Sequence, residues 1–434
     1  MKLFHLIPIL LVILMLSCSK KTNPQKNIDA FESEKTELIA LGSYPNYYYN
    51  LANELNNTGR TDLAIEAYKM CIATSRSQTI VEDAMFNLSM LYFDSEKDTL
   101  AYRLMDSLIT RRYTWLNWYK GSENSFTHEI GYQSRLDKID SLSILKNSPK
   151  NVVFHYTDVS NFLTAFTKSK RDWTNAPNYF YEDYFSKASS GLFFYQKFKI
   201  QSSSHQFAYC VEDKQKYYES IVSNLQEINT HEQDIRGYLE GFEEMYPDAI
   251  FPDIYYTVGC YNAGGTSSPY GLIIGAEMHT KMEESDLTNF NTWEKNVVRD
   301  FANLPLITIH ELVHIQQNNN YNNLLGNSIY EGAADFISSL ILGSHINEHV
   351  HSWANKHEEE VWNDFEKEML SNNTQNWIGN ANRAIDKPAD LGYYVGFKIC
   401  ESYYNKQSDK KKAISDILNV TDWTDFYLKS GYMQ

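Results

Sequence analysis

Two histidines flank a glutamate in the run Ile307-Thr308-Ile309-His310-Glu311-Leu312-Val313-His314-Ile315. On an α-helix, positions i and i+4 lie about 40° apart around the axis, so the His310 and His314 imidazoles face one way. Two neutral imidazoles at that spacing can hold one zinc ion. Glu311, turned away from that line, reaches a water rather than the metal. Its task would be to take the water's proton and pass it to a leaving amine. The inner and flanking positions are uncharged, as a buried helix requires, whereas structural histidine pairs usually sit among surface polar residues.

A zinc ion needs a further protein ligand. The Asn-rich stretch from Asn318 to Gly326 breaks the helix, and Ser328-Ile329-Tyr330-Glu331-Gly332-Ala333-Ala334-Asp335 lies in the next, expected to reach Leu342 and stop at Gly343. Ser328 and Glu331 also fit a capping box, which would satisfy a helix start with no metal involved. That reading leaves Asp335 unexplained. Glu331 and Asp335 share one face of an otherwise apolar helix, where two carboxylates repel and lose solvation. A cation and a histidine N–H remove the difficulty. Glu331 is therefore expected as the third ligand, and Asp335 as the acceptor for the free N–H of His310 or His314. His345, His349 and His351 form a second group, with polar neighbours that place it at a solvated helix end rather than at a second metal.

The elements that carry these residues are read from pattern. Residues 151–434 mix helices with short strands: Val152-Val153-Phe154, Tyr255-Tyr256-Thr257-Val258 and Gly271-Leu272-Ile273-Ile274. The Gly-rich segment Asn262 to Pro269 reads as a hairpin turn joining the last two, since no GK[ST] or GxGxxG accompanies it. Residues 41–150 read as paired helical hairpins of tetratricopeptide-like type. Leu51, Ala52, Leu55, Gly59, Ala64 and Tyr68 form one unit, and Leu88, Ser89, Tyr92, Ala101 and Met105 its second copy. Such a region offers a groove for a protein partner, or simply packing support.

The start of the chain is an address. Lys2 precedes an apolar stretch from Leu6 to Leu16, too short to span a bilayer, followed by Ser17-Cys18. This resembles a bacterial lipobox, which implies a signal peptide over 1–17 and acylation of Cys18. Residues 18–40 then form the anchor and tether, and the product faces the cell envelope. The formal net charge of −16 argues against a nucleic-acid partner. The five Cys are scattered without a CxxC, so zinc-ribbon and thioredoxin motifs are excluded. With Cys18 lipidated, the other four can form two disulfides or remain buried thiols. The 32 Tyr are an excess that the motifs do not account for.

His310-Glu311-x-x-His314 followed by Glu331 on the next helix, with Asp335 four positions on, resembles the gluzincin zinc metallopeptidases. More closely, residues 151 to about 400 resemble a predicted zinc-dependent protease family of otherwise unknown function. The likeness runs through Thr157-Asp158-Val159-Ser160-Asn161-Phe162, Ser190-Gly191-Leu192, Gly264-Gly265-Thr266, Ile274-Gly275-Ala276-Glu277, the His310 motif, Glu331-Gly332-Ala333-Ala334-Asp335 and Gly392-Tyr393-Tyr394-Val395-Gly396. Envelope lipoproteins linked to gliding motility in Bacteroidetes share parts of this pattern. The resemblance implies an α+β, predominantly helical fold, with a zincin-like metallopeptidase domain and small sheet after the helical one, and one Zn2+ per chain. It implies peptide or protein substrates, with Tyr393 or Tyr394 steadying the oxyanion. The strand holding Gly275 and Glu277 would lie along the substrate. The competing expectation is a catalytically silent envelope lipoprotein that binds or assembles other components.

Overall fold

The computed structural model describes residues 47–433 apart from 76–77, 112, 114–115, 122–128, 147, 269, 319 and 385. The signal segment, Cys18 and the tether lie outside the described residues. No described helix is long and apolar enough to cross a membrane.

The N-terminal part is built from α1 (Tyr47–Asn57), α2 (Thr61–Thr74), α3 (Gln78–Asp94), α4 (Asp98–Thr110) and α5 (Ile130–Lys146). The α1–α2 turn needs Gly59, whose φ of +72° suits a residue without a Cβ. Ala52, Ala64 and Ala101 are fully buried, which lets the helices approach, and Tyr68 and Met105 fill the space beside them. The Tyr68 hydroxyl donates to Asn53 Oδ1 at 2.6 Å. These helices have their own apolar cluster, from Tyr48 to Ile139. A second, larger cluster runs from Val152 to Tyr432.

The second cluster surrounds a four-stranded sheet of order β1-β2-β4-β3. Its strands are β1 (Phe154–His155), β2 (Ile254–Thr257), β3 (Gly265–Ser268) and β4 (Gly271–Gly275). β1, β2 and β4 run parallel, with Ile254 opposite Leu272 and Tyr256 opposite Ile274. Every residue of β2 and β4 is buried, which is why both read as continuous apolar runs. The expected hairpin between 255–258 and 271–274 is thus corrected: those two strands are parallel neighbours. The real hairpin joins β3 to β4, with Thr266 opposite Ile273. Gly265-Thr266-Ser267-Ser268 imitates a turn in composition but forms the antiparallel edge strand, half-exposed as an edge allows.

The helices that matter to the site are α6 (Thr157–Ser169), α7 (Ser190–Tyr195), α8 (Glu232–Met245), α9 (Leu304–Gln316), α10 (Leu324–Leu342), α11 (Glu348–Ala354) and α12 (Leu391–Lys406). Asn323 caps α10, its Oδ1 accepting from Gly326 N at 2.9 Å. Ser328 and Glu331 lie well inside that helix, so the capping-box alternative falls away. Gly343 closes α10 in the left-handed conformation, as its sequence position predicts. α10 and α12 meet backbone to backbone. A Cβ at Gly396 would lie 1.6 Å from Ser328 O, and one at Gly332 would lie 2.1 Å from Phe397 N.

Part of the tyrosine excess is explained here. Buried Tyr184, Tyr195 and Tyr218 donate at 2.6–2.7 Å to the carbonyls of Val258, Ala263 and Gly259. They satisfy an irregular segment that would otherwise bury unpaired oxygens. Cys210 and Cys260 form a disulfide that ties this segment to the helix Ser204–Asp213. Cys71 and Cys400 are buried thiols, so neither of the two alternatives for the four cysteines holds as a whole.

Candidate metal centre

α9 presents His310 and His314 to α10, which presents Glu331 and Asp335 one turn apart. The His310 and His314 Nε2 atoms are 3.1 Å apart. Glu331 Oε2 lies 3.2 Å from His314 Nε2 and 3.8 Å from His310 Nε2. A tetrahedral zinc with bonds near 2.0–2.2 Å spaces its ligand atoms about 3.4 Å apart, so this triangle fits it. Among the described residues it is the only group of three or more His, Cys, Asp or Glu side chains that converges in this way.

The outer nitrogens set the tautomers. His310 Nδ1 lies 2.9 Å from Asp335 Oδ1, an ionised acceptor, so it carries the hydrogen. His314 Nδ1 lies 2.7 Å from Gln317 Oε1, while Gln317 Nε2 donates to Tyr330 O at 2.8 Å and so fixes the amide's orientation. Both Nε2 atoms of the neutral imidazoles therefore present lone pairs toward each other and toward a carboxylate. Three acceptors converging in a largely buried place demand a cation.

The electrostatics agree. Burial alone would raise the Glu331 and Asp335 carboxyls, but the facing histidines hold both well below the usual carboxylate range. Burial pulls His310 down, yet Asp335 and Glu331 outweigh it and push the imidazole up to about 10. The centre is thus short of one positive charge, which either a proton or a divalent ion supplies.

Glu311 lies beside the triangle, and Gly265 of the edge strand lies against it. A Cβ on Gly265 would stand 2.3 Å from Glu311 Cγ. Burial raises the Glu311 carboxyl, with His314 and His310 opposing. On α12, the Tyr393 ring stacks toward His310 with centroids 6.2 Å apart. Burial first, then the Glu331 charge, pushes its hydroxyl well above the ordinary value, so Tyr393 stays a donor. Tyr394 is fully buried and turned away, edge-on to His351 at 4.9 Å. Of the two tyrosines, only Tyr393 faces the centre.

Gly275 and Glu277 are not placed to meet a substrate strand. Gly275 ends the inner strand β4, and the edge position belongs to β3. Glu277 is fully buried and accepts from Gly259 N at 2.8 Å and Tyr261 N at 3.0 Å. It braces the turn in which Tyr261 takes a φ of +61°. The expectation of a solvated second histidine group is also corrected for two of its members, while His349 is exposed as expected. His345 and His351 are buried with rings 4.4 Å apart, and His345 Nδ1 lies 3.6 Å from Asp335 Oδ2.

Two contributors have no sequence signature. Gln317 orients His314, and Tyr330 stacks on the His314 ring at 4.5 Å. Gln317 is three residues after His314, at the end of α9, which is the one local hint. α3 meets the site's hairpin directly: Tyr270, between β3 and β4, donates to buried Asp83 at 3.0 Å, as Tyr113 does at 2.6 Å.

Residues 145–434, more than half of the chain, match the family model described as gliding motility protein GldB. No curated protein and no solved structure matches the chain. The matched span contains the whole centre and leaves α1–α4 outside. It supports the resemblance to gliding-motility lipoproteins and carries no protease family.

Proposed function

The chain belongs to the gliding motility protein GldB family, and from that premise we propose that it is a lipid-anchored envelope protein serving gliding motility through one zinc ion. His310, His314 and Glu331 hold that ion. The convergence of two imidazole nitrogens and one carboxylate oxygen at the spacing of zinc ligands carries this reading. A zinc ion bound there supplies a Lewis acid and a fixed positive charge. The chain's own groups do the rest. Asp335 and Gln317 hold the imidazoles in one tautomer, Tyr330 covers His314, and Glu331 closes the triangle.

Two observations favour peptide hydrolysis as a second reading of the same centre. Glu311 is set beside the triangle under the edge strand, with burial raising its affinity for a proton, the requirement for a group that accepts one and gives it back. Tyr393 keeps its hydroxyl hydrogen and faces the same space, where a developing oxyanion would need a donor. A zinc ion that only stabilises the fold would require neither.

Complementation separates the two readings. In gliding cells that lack this protein, His310→Ala is expected not to restore movement, and its failure to matter would remove the centre from the function. Glu311→Gln keeps the ligands. Restored movement with Glu311→Gln assigns the zinc an architectural role, and lost movement with zinc retained assigns it hydrolysis.

A further inference from the structure

We propose that Asn347, supported by His345, is a positioning residue of the metal centre, holding the Asp335 carboxylate that fixes His310. The inference rests on the zinc reading above and extends it to a loop that contacts no ligand atom directly.

Asp335 is fully buried, so both of its oxygens need donors. Oδ1 takes His310 Nδ1. Oδ2 takes Asn347 Nδ2 at 2.8 Å, with His345 Nδ1 at 3.6 Å on the same side. The loop reaches this place because Gly343 ends α10 in the left-handed conformation and turns the chain back over the helix. His345 and Asn347 are each 6% exposed.

Asn347 stands at the N-cap position of α11, where an Asn side chain would ordinarily accept from the first turn. It makes no cap hydrogen bond. Its amide is given to Asp335 instead, so the local helix forgoes a favourable contact and the carboxylate gains one. Without that donor, Oδ2 is left as a buried charge that can rotate toward His345, and the Asp335–His310 bond loses its fixed direction. Partners of this kind typically alter metal affinity by about 10–100-fold.

The test uses full-length protein with Asn347→Leu, similar in size but without a donor, and Asn347→Ala. His349→Ala, at an exposed position of α11, serves as control. Zinc Kd is read by chelator competition, and the His310 Nδ1–H proton by its downfield NMR resonance in metal-free and zinc-loaded protein. Both Asn347 variants are expected to weaken zinc roughly tenfold or more and to shift or broaden that resonance, while His349→Ala leaves both unchanged. Unchanged Kd and resonance in a folded Asn347 variant would overturn the proposal. If only one variant folds, it decides alone. Wild type that binds no zinc refutes the zinc reading separately, and the metal-free resonance then still decides whether Asn347 holds the Asp335–His310 pair.

Discussion

Gly265 and Glu311 touch so closely that the smallest side chain on the strand would overlap the glutamate: a Cβ at 265 would lie 2.3 Å from Glu311 Cγ. Gly265→Ala must therefore push Glu311 or lift the edge strand. Overpacking of this kind destabilises by about 1–3 kcal/mol. Because the proposed zinc ligands lie on α9 and α10, zinc stoichiometry is expected to stay at the wild-type value while any peptide cleavage falls. Zinc analysis, thermal unfolding and a peptide-library digest check this together. Cleavage at the wild-type rate would show that the strand does not position Glu311.

The backbone contact of α10 with α12 sets a second expectation. Gly396→Ala and Gly332→Ala each place a methyl group on main-chain atoms that cannot yield without separating the helices. A loss of about 3 kcal/mol is expected for each, at the upper end of overpacking effects. Gly237→Ala is the contrast. A Cβ there meets nothing within 4 Å on α8, so helix propensity alone acts and stability rises by up to about 1 kcal/mol. Denaturant melts of the three variants test the ordering.

Asp83 gives a pH dependence. Burial raises its carboxyl to about 6, with the Tyr113 and Tyr270 hydroxyls opposing. A folded-state value above the unfolded one means the folded protein holds this proton more tightly. The stability it contributes is fully present below about pH 4 and is lost as pH rises through 6. Asp83→Asn removes the ionisation. The variant's stability relative to wild type should therefore increase between pH 4 and pH 7, by at most about 3 kcal/mol. A difference that is flat with pH would contradict the buried contact between α3 and the β3–β4 hairpin.

Tyr393→Phe and Tyr394→Phe should behave differently although the residues are adjacent. Both are expected to retain zinc. Only Tyr393→Phe removes a hydroxyl facing the centre, so any cleavage drops by about 100–1000-fold if that donor meets a developing oxyanion. Equal cleavage by both variants would remove Tyr393 from the chemistry.

What the residues disclosed by themselves was local. His310, His314, Glu331 and Asp335 are legible because helical spacing alone puts each pair on one face, and an apolar helix with two carboxylates demands a partner. The stop at Gly343 and the paired N-terminal hairpins follow from equally short-range rules. The edge strand was not legible, because Gly265 is small for the sake of Glu311, a contact 46 residues away in the chain, and Gly264 for the sake of His279, and the same composition marks a turn. Gln317 and Asn347 act where helices end, and their directions depend on how the chain leaves α9 and α10. Tyr393 and Tyr394 are indistinguishable in sequence, and the rotation of α12 against α10 decides between them. His345 and His351 look solvated only until the loop after Gly343 is seen folded back on Asp335.

The central claim is that His310, His314 and Glu331 form one zinc site. Metal analysis of the purified full-length protein, beside His310→Ala and Glu331→Ala, tests it most directly. About one equivalent in wild type is predicted, with little in either variant while both remain folded. Folded wild type holding less than about half an equivalent after equilibration with zinc, or variants that retain as much as wild type, would contradict it.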